Sequence, residues 1–370
     1  MHTHGELKAY LLGIFVASAA FSLTYYATSI ILERSSEPVP GKNQPSRRHL
    51  GRTAILGQDT FSRNGRTPKD RLLAATAHAC LQSRPGDEVS TDLDCKKRLP
   101  QAIGIGVEKC GTSALSFFLN SHPNLIHSVP QEIYYWNKHQ NESLDWYRDQ
   151  MPVSSKHEVT MEKTPSYIFD VSAPTRIKAV MPDTKFIVII RDPVVRAVSD
   201  YLHLLTIAWP EFFIPRVAPP GQEALCYLNT TFEGSVIRPN GEVNSDNAIL
   251  VHGAYVIYFR EWLKVFPRKQ FLVIDGDAFI KNPLPALQQM EEFLGLPKFF
   301  NGRSIYFDER KGFYCKSLPF KQCAGESKGR RHPVIDDDVI RKLKAYYRPY
   351  DDQLEKLLGQ TFSWSDHTLE

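Results

Sequence analysis

Short apolar runs alternate with stretches of helical period from residue 99 onward. Segments 102–107, 158–161, 185–190 and 270–274 are brief, bounded by polar or turn residues, and read as strands. Segments 113–121, 193–205, 256–266 and 284–294 place apolar side chains at helical spacing and read as helices. Strand–helix alternation predicts an α/β domain, a central parallel β-sheet flanked by helices on both faces. Ligands of such sheets gather at the carboxyl ends of the strands. No internal repeat interrupts this order, and the alternation defines one domain over 98–370.

The pattern before that domain is different. Residues 9–32 are 24 in number and carry no charge, enough to span a bilayer. Ala17, Ser18 and Ala20 keep a cleaved signal peptide open as the alternative. An anchor predicts a cytoplasmic tail at 1–8, a transmembrane signal anchor at 9–32, and everything beyond it lumenal or extracellular. The lumenal stem, 33–97, lacks apolar periodicity over 33–71, where Pro38, Pro40 and Pro45 fall. Seven Lys or Arg face three acids between Glu33 and Arg66. Such a segment buries too little to fold alone and reads as a basic spacer, with 72–97 as a short helical lead-in.

Composition changes this picture little. Hydrophobic content of 42% suits a packed core, and a net charge of +4 does not announce a nucleic-acid partner. The lumenal side fits Asn141-Glu142-Ser143 and Asn229-Thr230-Thr231, both glycosylation sequons. Cys315 and Cys323 are close enough to close a small disulfide loop in an oxidising lumen. Cys80, Cys95, Cys110 and Cys226 have no metal-ligand spacing, the pairing of Cys80 with Cys95 stays open, and Cys110 reads as a small buried residue. No His or Cys set implies a metal.

Two segments carry chemistry. Lys109-Cys110-Gly111-Thr112-Ser113 joins the first strand to the first helix. Unpaired N–H groups at a helix start suit phosphate or sulfate. Gly111 lets an anion approach the main chain, Thr112 and Ser113 add hydroxyls, and Lys109 adds charge. No lysine follows Gly111, so the nucleotide-kinase pattern fails. The plain alternative is an ordinary strand-to-helix turn. In the second segment, Arg191 ends an apolar strand, Pro193 suits a first helical turn, and Ser199 lies eight residues on. Arg191 and Ser199 could grip a second phosphate, with Arg196 one turn before the serine. The alternative is an ion pair with Asp192 or Asp200.

Together with Glu326-Ser327-Lys328-Gly329-Arg330, these segments resemble the Golgi sulfotransferases. That resemblance implies a P-loop-kinase-like sulfotransferase domain using 3′-phosphoadenosine 5′-phosphosulfate as sulfuryl donor, with no metal. It implies that Lys109, Cys110, Gly111, Thr112 and Ser113 hold the 5′-phosphosulfate. Arg191 and Ser199 would hold the 3′-phosphate, and Lys328, Gly329 and Arg330 would close over the nucleotide with Tyr314. The segments Ile105–Thr112, Gln131-Glu132-Ile133, Met161–Tyr167, Val273–Asp277, Lys311–Cys315 and Gly359–Trp364 are similar to the heparan sulfate glucosaminyl 3-O-sulfotransferases. By that resemblance Glu132 is the general base that a sugar hydroxyl requires. Lys109 stabilises the leaving oxygen, and Lys163 reaches the sulfuryl group or an acceptor anion, its plain alternative being a surface pair with Glu162. Asn137 and Lys321 join Lys163 on the acceptor side. Seven Lys or Arg against two acids between Glu309 and Arg331 suit a sulfated glycan. The expected setting is the Golgi membrane, with the catalytic domain lumenal.

Three residues depart from that family's usual pattern: Glu108 stands where it has arginine, Tyr134 where it has histidine, and Asn137 where it has a carboxylate. These leave open another acceptor position, or a catalytically weak relative that binds sulfated glycans.

Overall fold

The apolar runs become a sheet because their residues are buried on both faces. In the computed structural model, which describes residue 80 and residues 94–129, 131–208, 231–325 and 333–365, all described residues fall in the unit Asn64–Glu370. A short antiparallel pair joins β1 (Lys96–Lys97) to β4 (Val153–Ser154). The main sheet holds β2 (Ala102–Gly106), β3 (Leu125–His127), β5 (Val159–Lys163), β6 (Lys185–Ile190) and β7 (Phe271–Asp275). Its order is β3-β5-β2-β6-β7, every pair parallel. Of the four predicted strands, 185–190 matches β6 residue for residue and the other three shift by one or two residues. β3 is only three residues long, too short to show a period.

The helices are α1 (Thr112–Leu119), α2 (Leu144–Asp149), α3 (Ala173–Val180), α4 (Pro193–Ala208), α5 (Phe232–Val236), α6 (Ala248–Val251), α7 (Tyr255–Val265), α8 (Gly276–Lys281), α9 (Leu284–Leu294) and α10 (Asp337–Leu358). The four predicted helices correspond to α1, α4, α7 and α9. The unpredicted α10 runs 22 residues, starts on an Asp336 side-chain cap and ends at Gly359 in the left-handed region. Val339, Leu343, Tyr347, Leu354 and Leu358 lie on its buried face. Charged residues and Pro349 between them dilute that signal in the sequence.

Two apolar clusters result. One surrounds the sheet and takes in Ile103, Ile105, Phe186, Trp262 and Leu287. The other joins α4, α5, α6 and α10 through Val198, Phe232, Leu250 and Leu343. Antiparallel β8 (Ile305–Asp308) and β9 (Phe313–Lys316) form a separate hairpin.

Both disulfides are present: Cys80–Cys95 and the expected Cys315–Cys323. The second clips the segment after β9, where Lys316 and Gln322 bridge. The helical lead-in fails at its end, because Lys96 and Lys97 extend to pair with β4 rather than coil. Among the described residues no helix is long and apolar enough to cross a membrane. The tail, the anchor, most of the stem, the sequon at Asn229 and the segment Lys328, Gly329 and Arg330 lie outside the described residues.

Candidate active site

The chain leaves β2 through Val107 and Glu108 and turns sharply before α1. Lys109 takes φ 69° and Gly111 φ 104°, so the turn uses left-handed backbone twice. At 109 a non-glycine accepts that strain, as residues at functional sites often do. Gly111 caps α1 with no side-chain hydrogen bond, leaving the helix's first N–H groups without a side-chain acceptor from their cap. Cys110 between them is fully buried, and burial pushes its thiol up to about 11. It is a packing residue, as expected, and no thiolate nucleophile.

The second anion segment is tied to the first by a residue the sequence reading missed. Cys110 Sγ lies 3.5 Å from the Tyr255 hydroxyl, which donates to the Arg191 carbonyl at 2.9 Å. Tyr255 sits at the start of α7 and is 1% exposed. Only its apolar period is visible in the sequence, where it passes for core. Arg191 Nη2 lies 3.4 Å from Asp277 Oδ1, while Asp277 Oδ2 accepts from the Asp192 amide at 2.8 Å. The expected alternative partners, Asp192 and Asp200, are therefore corrected to Asp277, delivered by α8. Arg196 is fully buried; it pairs with Asp200 at 3.1 Å and donates to the Ile249 carbonyl. It braces α4 against α6.

Between these segments lies a cleft of about 580 Å³. Lys109, Gly111, Thr112, Ser113, Arg191, Ser199, Tyr314 and Glu132 all line it. The structure thus brings together the described residues of both proposed phosphate sites, the buried Cys110 excepted, and the proposed base.

Glu132 is held on both oxygens. Oε1 pairs with the Lys163 ammonium, and Oε2 accepts from the Tyr134 hydroxyl at 2.6 Å. The departure at 134 therefore keeps a hydrogen-bond donor on the carboxylate. Lys163 reaches it because residue 104 of the neighbouring strand is glycine. A Cβ there would stand 2.8 Å from Lys163 Cγ. Lys163 is 3% exposed and pairs with Glu132, so the alternative of a surface pair with Glu162 falls; Lys163 itself does not line the cleft. Glu162 points to the other face of β5, where burial pushes its carboxyl up to about 7 against the hydroxyls of Tyr147 and Thr164.

The other two departures take different places. Glu108 lines the cleft, and burial followed by the Asp200 charge pushes its carboxyl up. Asn137 is not among the cleft residues and donates to Ser166 Oγ at 2.9 Å. Lys321 lies outside the cleft on the clipped segment, its ammonium 5.3 Å from the Tyr306 ring. Asn141 is exposed in the turn before α2, whose cap is the sequon's own Ser143.

A parallel sheet with a left-handed turn after β2, an arginine segment after β6 and a carboxylate sharing their cleft is the arrangement of a sulfotransferase domain. A family model described as "Sulfotransferase domain" matches residues 99–361. The crystal structure of a sulfotransferase from Alicyclobacillus acidocaldarius shares the fold, with a TM-score of 0.53, 19% identity, and coverage of 72% of this chain and 99% of that one.

Within that class, the chain belongs to the heparan sulfate glucosamine 3-O-sulfotransferase family. It is 37% identical over 276 residues to the human enzyme 5, covering 73% of this chain and 75% of that protein. It is 37% identical over 272 residues to the mouse enzyme 3B1, covering 72% of this chain. The chain spans 65% of the length of that relative.

Proposed function

We propose that the chain transfers a sulfuryl group from 3′-phosphoadenosine 5′-phosphosulfate to the 3-hydroxyl of glucosamine in heparan sulfate. Glu132, paired with the buried Lys163 and sharing one cleft with Lys109, Gly111, Thr112 and Ser113, carries this reading. The donor has anionic groups at both ends, and the cleft matches them. Lys109, Gly111, Thr112, Ser113, Arg191, Ser199 and Tyr314 all line it, and the family resemblance assigns the first four to the phosphosulfate and Arg191 and Ser199 to the 3′-phosphate. Lys328, Gly329 and Arg330 would add cations over the nucleotide.

Glu132 accepts the proton of the acceptor hydroxyl, whose oxygen forms the new bond to sulfur. The bond from sulfur to the 5′-phosphate oxygen breaks, and Lys109 stabilises the charge left there. Lys163 does not line the cleft and acts through its ion pair, which favours the ionised carboxylate that accepts the proton. The hydroxyl of Tyr134 keeps the carboxylate aimed throughout. Positioning and charge supply the rate, as in phosphoryl transfer.

The relatives named as 3-O-sulfotransferases support the acceptor position. Glu108 in the cleft wall favours a second reading, sulfation at a different glycan position, because a carboxyl there changes which acceptor groups can lie beside Lys109. We also propose a type II membrane protein of the Golgi, anchored by 9–32 with the domain lumenal. The two disulfides support an oxidising compartment.

The test is transfer of radiolabelled sulfate to heparan sulfate, with disaccharide analysis of the product. Label at the glucosamine 3-hydroxyl supports the proposal. Label elsewhere replaces the position and keeps the reaction. No label on any glycosaminoglycan, with donor binding intact, overturns it.

A further inference from the structure

Glu162 is a fully buried carboxylate for which the reaction above has no use. Its surroundings are specific. Oε1 accepts from the Tyr147 hydroxyl at 2.8 Å, and Oε2 accepts from the Thr164 hydroxyl at 3.0 Å. Thr164, itself 0% exposed, accepts through the same oxygen from two successive amides, Ile133 N at 3.1 Å and Tyr134 N at 3.2 Å. A hydroxyl has one hydrogen and two lone pairs. With both lone pairs taken by amides, its hydrogen must go to an acceptor, and Glu162 is that acceptor.

These amides belong to the two residues directly after Glu132. Residue 134 also takes φ 57°, a left-handed conformation unfavourable to tyrosine, which the surrounding structure must hold. The intervening residue of the same strand end, Lys163, grips the Glu132 carboxylate itself. Three consecutive residues thus hold the Glu132 side chain directly and the backbone just after it through Thr164. Thr164 is in turn fixed by its own amide, which donates to the Gly104 carbonyl of β2 at 3.0 Å. The chain of contacts therefore runs from the sheet to the catalytic loop without passing through solvent.

We propose that Glu162 and Thr164 are positioning residues for Glu132: Glu162 orients the Thr164 hydroxyl, and that hydroxyl sets the backbone conformation that aims the base into the cleft. The inference rests on the proposed role of Glu132. A carboxylate in such a place is costly unless hydrogen-bonded, and a buried network that is fully satisfied fixes one geometry. Neither residue lines the cleft, so neither touches donor or acceptor.

The experiment compares Thr164→Val, Thr164→Ser and Glu162→Gln with the wild type. Amide exchange of the 132–136 segment, phosphoadenosine phosphate binding and steady-state transfer are each measured. Thr164→Val is expected to speed exchange at residues 133 and 134 about tenfold or more. Turnover should fall about 10- to 100-fold, as for misplaced catalytic groups, while donor Kd stays within about twofold. Thr164→Ser, which keeps the hydroxyl, should restore both. Glu162→Gln, which retains an acceptor oxygen, should fall between them.

Unchanged exchange in Thr164→Val, or a serine variant as impaired as the valine one, overturns the proposal. So does a uniform loss of donor binding with turnover, which marks general destabilisation. If Thr164→Val fails to fold, the exchange and turnover of Glu162→Gln decide, wild-type values in both overturning it. Glu132→Gln in the same assay separates the two readings. Full activity there rejects Glu132 as base, whereas the exchange data still report on the clamp.

Discussion

The proposed donor end of the cleft is built largely from backbone, whereas the acceptor end is built from side chains that hold one another. At the donor end the left-handed turn at Lys109 and Gly111, the start of α1 and the Tyr255 tie place N–H groups and cations by the course of the chain. At the acceptor end Glu132 depends on Lys163 and Tyr134, while Glu108, next to Lys109 in the chain, lines the same cleft. The difference teaches where change is tolerated. A backbone site should survive drift in the intervening side chains, since Cys110 there only packs. A site made of mutually bonded side chains changes its preferences with each replacement. The departure Tyr134 falls at that end.

The largest effect is expected at Glu132. Glu132→Gln is expected to lower turnover about 10²- to 10⁴-fold, the span of general base catalysis, with phosphoadenosine phosphate affinity within about twofold by calorimetry. Next is Lys109→Ala, which removes a cation from the donor end. It should lower turnover about 10²-fold and weaken the nucleotide as well, whereas loss confined to the acceptor KM would dissolve the division between the ends.

Tyr255→Phe sharpens it further. The ring keeps its packing but loses the hydroxyl that bonds the Arg191 carbonyl. Donor Kd should rise several-fold and stability fall by about 1 kcal/mol, with acceptor KM unchanged. Tyr134→Phe should do the reverse, altering acceptor use by a fewfold and leaving donor Kd alone.

The smallest effect concerns stability and pH at a residue of neither end. Burial, then the Asp192 charge, push the Asp351 carboxyl up to about 8. Its folded pKa exceeds the unfolded value near 4, so the folded state holds the extra proton between those values. Stability from this group therefore declines as pH rises from about 4 to 8. Asp351→Asn should raise the thermal midpoint by a few degrees at pH 8 and progressively less toward pH 5. An equal effect at both pH values would contradict the assignment.

Much of this was legible in the sequence. The runs at 102–107 and 185–190, and the loops that follow them, are local patterns, and both lie where strand–helix alternation puts a ligand. The Glu132 site was legible only through family resemblance, because nothing local distinguishes Glu132 from a helix cap or a surface ion pair. What stayed hidden depends on contacts distant in sequence: Tyr255 to Arg191, Arg191 to Asp277, Thr164 to the amides after Glu132. A tyrosine or threonine in an apolar setting carries no periodic mark of its polar partner. α10 was hidden for a different reason, its buried positions being separated by many charges and by Pro349.

One measurement bears on the central claim most directly: turnover and nucleotide affinity measured together for Glu132→Gln and Lys109→Ala. The account predicts that the glutamine variant loses turnover and keeps the nucleotide, while the alanine variant loses both. A glutamine variant with wild-type turnover, or an alanine variant that binds the nucleotide unchanged, would contradict it.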